Sequence, residues 1–254
     1  AADAVDKSIA LSREVELKLG PKHPETASAL LQHAYALDSV GRNAEALPIH
    51  ERLLPLVRQA FGAKSATAYE AMNNFGLNCF YLGRIDEALT LFTDATNGLE
   101  QLYGAEHPWV VAGRNNLAVA LNVAGRKRES AVIMEKAYQV DVKIFGERHP
   151  DTLLRLANLA ELLAELGDNA RAATLLEKAV AGYETTQVHD NPNTIVARYN
   201  LAGTYAELGR IDEARSGYRA ALADHVRVMG PRETYTLYMY TTIGRFERDH
   251  GDPK

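Results

Sequence analysis

The sequence predicts an all-α fold, a solenoid of antiparallel helix pairs with no sheet, on three observations. Glycine followed by Arg or Asp stands at Gly41-Arg42, Gly83-Arg84, Gly125-Arg126, Gly167-Asp168, Gly209-Arg210 and Gly251-Asp252, each pair 42 residues after the last. A second row keeps the same period: His23-Pro24, Ser65-Ala66, His107-Pro108, His149-Pro150, Asn191-Pro192 and Glu233-Thr234. Between them, apolar residues recur every three or four positions, as in Leu153, Leu156, Leu159, Leu163 and Leu166, and no segment sustains the alternation of period two that marks a strand. A constant period of this length signals stacked supersecondary units, each burying its apolar face only against its neighbours.

The elements follow in order. Residues 1–20 align with a second helix, Ala4 answering to Ala46 and Leu11 to Leu53. Full repeats are expected over 23–62, 65–104, 107–146, 149–188 and 191–230, and 233–250 supplies a first helix only, all within one solenoid spanning 1–254. Each first helix starts at its His-Pro pair, because Pro suits the first helical position and His, Ser or Asn caps it. It stops at the Gly-Arg or Gly-Asp glycine, which can take the left-handed conformation of a helix stop. The second helix follows, as in Ala172, Leu175, Leu176 and Ala179, or from Glu129 to Phe145, and ends at a further glycine row: Gly20, Gly62, Gly104, Gly146 and Gly230. Val188 breaks that row. Pro48 and Pro55 lie inside the second helix of the 23–62 repeat, where an interior proline costs about 3 kcal/mol, and predict a bend or break. Half-repeats at both ends predict a segment of a longer array, since such arrays normally close on polar caps.

Small residues recur where two helices must approach closely: Ala34, Gly76, Ala118, Ala160, Ala202 and Gly244 on first helices, Ala46, Ala88, Ser130, Ala172 and Ala214 on second helices. Enlarging one should overpack the crossing by about 1–3 kcal/mol. Bulky residues hold complementary registers, Phe92, Met134, Leu176 and Tyr218 in one, Phe75, Leu117, Leu159, Leu201 and Ile243 in another. With His149-Pro150-Asp151-Thr152, Asn158-Leu159-Ala160 and Gly167-Asp168, and Asn116-Leu117-Ala118 with Gly125-Arg126, the chain resembles a tetratricopeptide repeat array of the 42-residue kinesin-light-chain type. The resemblance covers essentially the whole chain. It implies a right-handed superhelix whose first helices line a concave face, and a noncatalytic protein-protein interaction module that binds an extended peptide or partner segment there. It names no pathway, since one fold serves many.

On that face the Asn of Asn-Leu-Ala reads Gln32, Asn74, Asn116, Asn158, Asn200 and Thr242, placing a carboxamide in four consecutive repeats. The resemblance implies that this position hydrogen-bonds a bound peptide. A carboxamide offers donors and an acceptor together, matching a peptide backbone whatever its side chains. Neighbouring inner helices should lie roughly 10 Å apart, about three residues of extended chain at roughly 3.3 Å each. Asn bonding between neighbouring helices is the structural alternative, because mid-helix Asn is otherwise unfavourable. Beside the ladder the helix period places Glu70, Asn73, Leu77 and Tyr81, then Asn115, Val119 and Asn122, then Glu161 and Glu165, then Tyr199 and Glu207, and last Tyr238, Arg245 and Arg248. A groove that turns acidic along its length predicts a ligand with an apolar anchor followed by basic residues. Chaperone-tail binding, which in related repeats needs Lys or Arg beside the Asn, is disfavoured by Asn73, Asn115 and Ala157 in that position.

Composition narrows the partners. The 254 residues carry 28 Lys+Arg against 33 Asp+Glu, a net charge of -5, so neither nucleic acid nor anionic lipid is favoured. No apolar run approaches a membrane span. The only cysteine, Cys79, rules out an internal disulfide and a cysteine-rich zinc site; it shares a register with Leu37, Leu121 and Leu163 and is expected in the core. A lone cysteine fits a reducing compartment or a periplasmic protein with a buried thiol, and a cytoplasmic location is the expectation. Phosphate-loop, paired-His metal and nucleophile-elbow motifs are absent, so no catalytic residue, metal or cofactor is expected. His23, His107 and His149 are expected as helix starts, and Trp109 as half-exposed cover at an inter-helix corner. A self-associating scaffold, or a regulatory arm of a larger multidomain signalling protein, are the competing functions; the oligomeric state is left open.

Overall fold

Ten glycines of the two predicted rows have φ between 74° and 97° and end helices in the computed structural model, which describes residues 2–185 and 191–251. Val188, Asp252 and the first residue of the 1–20 half-repeat lie outside the described residues. At Gly41 the stop is a Schellman motif: the Gly41 amide donates to the Asp38 carbonyl and the Arg42 amide to the Leu37 carbonyl, at 2.9 and 3.0 Å. The next helix begins two residues later, so one glycine sets the whole turn.

The helices are α1 (Ala2–Leu19), α2 (Pro24–Ser39), α3 (Asn43–Phe61), α4 (Ala66–Tyr81), α5 (Ile85–Tyr103), α6 (Pro108–Val123), α7 (Lys127–Phe145), α8 (Pro150–Glu165), α9 (Asn169–Thr185), α10 (Pro192–Glu207), α11 (Ile211–Met229) and α12 (Thr234–His250). No strand occurs among the described residues. The chain divides into two compact units, residues 1–133 and 134–254, the boundary falling inside α7. In the first unit each helix from α1 to α6 packs on the next; in the second, α8 to α12 do the same. First helices also touch first helices, α2 on α4 and α4 on α6 in one unit, α8 on α10 in the other, whereas among the described residues α3 does not reach α5, nor α9 α11. First helices α2, α4 and α6 in one unit, and α8 and α10 in the other, are therefore more closely spaced than the second helices beside them.

The N-caps carry out the predicted chemistry. Nδ1 of His23, His107 and His149 accepts the amide of Glu25, Trp109 and Asp151 at 3.2, 3.3 and 3.3 Å, while Ser65 and Asn191 cap α4 and α10. The arginines of the Gly-Arg pairs lie on the surface: Arg42, Arg84, Arg126 and Arg210 each fork onto the Glu three residues on, and Arg84 and Arg210 also reach Glu51 and Glu177 at 3.3 Å.

The break expected at Pro48 and Pro55 does not occur. The second helix of the first full repeat, α3, runs unbroken from Asn43 to Phe61 through both Pro48 and Pro55. Both prolines are exposed, so water can satisfy the carbonyls they leave without a donor, while Ala46, His50, Leu53 and Val57 hold the other face in the core.

The small positions behave as crossings. Ala34, Ala118, Ala160 and Ala202 are buried, as are Ala46, Ala88, Ser130, Ala172 and Ala214. A Cβ on Gly76 would stand 2.8 Å from Cε1 of Phe92. Gly244 differs, for a Cβ there meets nothing within 4 Å, since no helix follows α12 among the described residues to cross it.

Candidate functional site

The candidate groove residues fall on the first-helix layers. In the first unit Asn74, Asn115, Asn116 and Asn122 are half-buried, whereas Tyr81 and Val119 are exposed. Leu77 packs with the cluster around Cys79 and Phe92. The Asn116 carboxamide donates to Oδ1 of Asn73 at 3.0 Å, which joins α6 to α4. This Asn is thus already engaged by the neighbouring repeat. Asn73 also lines a recess of about 220 Å³ with Glu70, Leu99, Trp109, Ala112 and Gly113. Trp109 is half-exposed, as the sequence suggests, but it sits within the first turn of α6, edge-on to Tyr103 and His107.

In the second unit Asn158 is exposed on α8, one turn before Glu161 and two before Glu165. Glu161, Glu165, Asn200 and Glu207 are brought together along a cleft of about 640 Å³ that α12 completes with Tyr238, Thr242 and Arg245. Burial, then the neighbouring Glu165 charge, pushes the Glu161 carboxyl above the usual carboxylate range. Tyr199 lies deeper than the helix period suggests. It is only 6% exposed and packs against Tyr218, Tyr235 and Tyr238 at ring-centroid distances of 5.3, 5.9 and 6.3 Å, so it forms the floor of the cleft rather than a free contact.

A polar cluster in the first unit was not anticipated. The Asp38 carboxylate pairs with His50 Nε2 at 2.7 Å and accepts from Asn78 Nδ2 at 2.7 Å, and Asn78 donates also to the Asn43 carbonyl at 2.9 Å. His50 and Asn78 are fully buried, and the imidazole stacks on Phe75. The signal was available: His50 occupies the register of Phe92, Met134, Leu176 and Tyr218, where a polar ring needs a partner. The cluster ties three helices together, which gives it a stabilising role.

Cys79 is fully buried, and burial pushes its thiol up to about 11, against the lowering effect of the Arg84 charge and with smaller raising effects from Glu87 and Glu51. Such a thiol is a poor nucleophile. Native protein is expected to resist an aromatic disulfide reagent and to yield one reactive thiol in guanidinium chloride; fast labelling of the native chain would contradict the buried placement. No group of three or more His, Cys, Asp or Glu side chains suited to a metal ion occurs among the described residues, and no described helix is long and apolar enough to cross a membrane.

Comparison with known proteins agrees with this geometry. Family models described as tetratricopeptide repeat match residues 25–101, 65–141 and 112–185, and a further one matches 194–232. No curated protein matches. Among solved structures the chain is similar to a putative kinesin light chain of Podosopora anserina with nearly identical repeats, at TM-score 0.73 and 21% identity over 83% of this chain and 99% of that one. It is similar also to BtubC of P. vanneervenii, at TM-score 0.70 and 16% identity over 92% and 91% of the two chains. YrrB, described as having an unusual peptide-binding site, aligns at TM-score 0.58 and 18% identity over 91% and 98%.

Proposed function

We propose that this chain, which belongs to the tetratricopeptide repeat family, is a noncatalytic binding module that holds an extended peptide or partner segment on its first-helix face. Protein-protein interaction is the general role of such repeats. The observation that carries the finer reading is the run of carboxamides on the first-helix layers, Asn74 and Asn116 in one unit and Asn158 and Asn200 in the other, at positions where nothing but a polar partner justifies Asn in mid-helix. Asn116 bonds Asn73 and retains an acceptor oxygen; Asn200 lines the second unit's cleft. Carboxamides suit a main chain, and the side chains beside them select the sequence: Leu77, Tyr81 and Val119 favour an apolar anchor, Glu161, Glu165 and Glu207 favour basic residues. The likeness to a structure described by its peptide-binding site supports the same class of ligand.

Peptides selected by display against the wild-type chain test this. Against Asn116→Ala/Asn158→Ala, folded equally by circular dichroism, their affinity is expected to fall about tenfold or more, two hydrogen bonds at roughly 1 kcal/mol each. Unchanged affinity would overturn the carboxamide reading.

A further inference from the structure

The cleft of the second unit is acidic. Its lining holds four carboxylates, Glu161, Glu165, Glu207 and Asp249, against one arginine, Arg245. Many carboxylates elsewhere on the surface are matched: Glu45, Glu87, Glu129 and Glu213 by their Gly-Arg arginines, Glu135 by Arg171, Glu147 by Lys178 and Glu184 by Arg198. Among the described residues, neither Glu161 nor Glu207 forms an ion pair, with Arg245 or any other cation. Glu161 is exposed at the mouth of the cleft, yet partial desolvation and the Glu165 charge still raise its carboxyl, a shift that a bound cation would oppose.

The far wall is aromatic. Tyr238 is 56% exposed and is backed by Tyr199 and Tyr235, whose centroids lie 6.3 and 5.7 Å away. An open tyrosine face beside carboxylates suits a guanidinium, which stacks flat on a ring while its fork donates to oxygens in plane; an ammonium is better hydrated and has no plane to stack. The same unit already contains this arrangement. Arg210 lies 3.9 Å over the Tyr205 ring and donates to both Glu213 and Glu177.

We infer that the cleft receives an arginine side chain of the partner peptide, its guanidinium laid on Tyr238 and its donors taken up by Glu161 and Glu207. This rests on the peptide-binding reading and names the residue that the second unit selects. Tyr238 provides the preference for arginine over lysine, and the two glutamates provide the requirement for charge.

The test is fluorescence anisotropy with a labelled peptide of alternating Ala and Arg, a lysine twin, and a citrulline twin that keeps the shape of arginine without its charge. Wild type is expected to bind the arginine peptide about tenfold or more tighter than the citrulline twin, with the lysine twin between them. Glu161→Gln/Glu207→Gln should erase the difference, and Tyr238→Leu should narrow the preference for arginine over lysine. Glu25→Gln/Asp94→Asn, which removes the same two charges from exposed positions of the first unit, should bind as wild type does. Equal binding of arginine and citrulline peptides, or equal behaviour of the two double variants, overturns the site. Display-selected peptides that depend on Asn116 and Asn158 yet carry no arginine overturn it too, and leave the groove reading standing.

Discussion

Replacing Asp38 with alanine is expected to destabilise the first unit by about 3 kcal/mol, measured by urea denaturation followed by circular dichroism. Asn78 keeps its bond to the Asn43 carbonyl, but His50 is left with no partner. Its Nδ1 already has none in the structure, so both ring nitrogens would be bare in a fully buried imidazole. Each unsatisfied buried group costs about 1–3 kcal/mol, and stripping one member from a buried polar pair costs more than replacing both. Asp38→Asn, which keeps an acceptor, should lose about 1 kcal/mol. The register gives a rescue: Phe92, Met134, Leu176 and Tyr218 occupy the place of His50 in other repeats, so Asp38→Ala/His50→Leu should recover at least half of the loss. A single variant as stable as wild type would show that the cluster is not needed.

Gly98→Ala is expected to destabilise by about 2–3 kcal/mol, against the sign that helix propensity alone gives. Alanine normally gains about 1 kcal/mol over glycine inside a helix. At Gly98, on α5, the new Cβ would stand 2.0 Å from Cζ of Tyr69 on α4. That ring is 9% exposed and packed with Met72, Ala95, Leu99 and Val110, so it must leave its place in the core to make room. Gly244→Ala is the control. It also lies inside a helix, its Cβ meets nothing within 4 Å, and it should gain up to about 1 kcal/mol. Urea midpoints that shift in opposite directions, down for Gly98→Ala and slightly up for Gly244→Ala, would confirm that the crossing, not the backbone, requires glycine at 98; a stabilised Gly98→Ala would refute it.

Much of the architecture was legible because it is written in local chemistry. Proline after a capping His, and glycine in the left-handed turn after Leu37 or Leu121, act within four or five residues, and their 42-residue recurrence marks helix ends without knowledge of any neighbour. The same locality made the carboxamide row visible, as Asn74, Asn116, Asn158 and Asn200 share one register. It also misled at α3, where two prolines suggested a break: the local cost was real, but burial of the opposite face outweighed it.

Depth and partnership were decided only by packing. Tyr199 projects onto the groove face on a helical wheel, yet three other tyrosines close over it, and a wheel carries direction without distance. Asp38, His50 and Asn78 lie 12 and 40 residues apart in unlike registers, so no period joins them until α2, α3 and α4 are stacked. The unanswered charge of Glu161 and Glu207 is of the same kind. A sequence states that a glutamate is present, but whether an arginine reaches it depends on which surfaces the folded chain brings within a few ångströms, because ion pairing falls away steeply with distance and solvent.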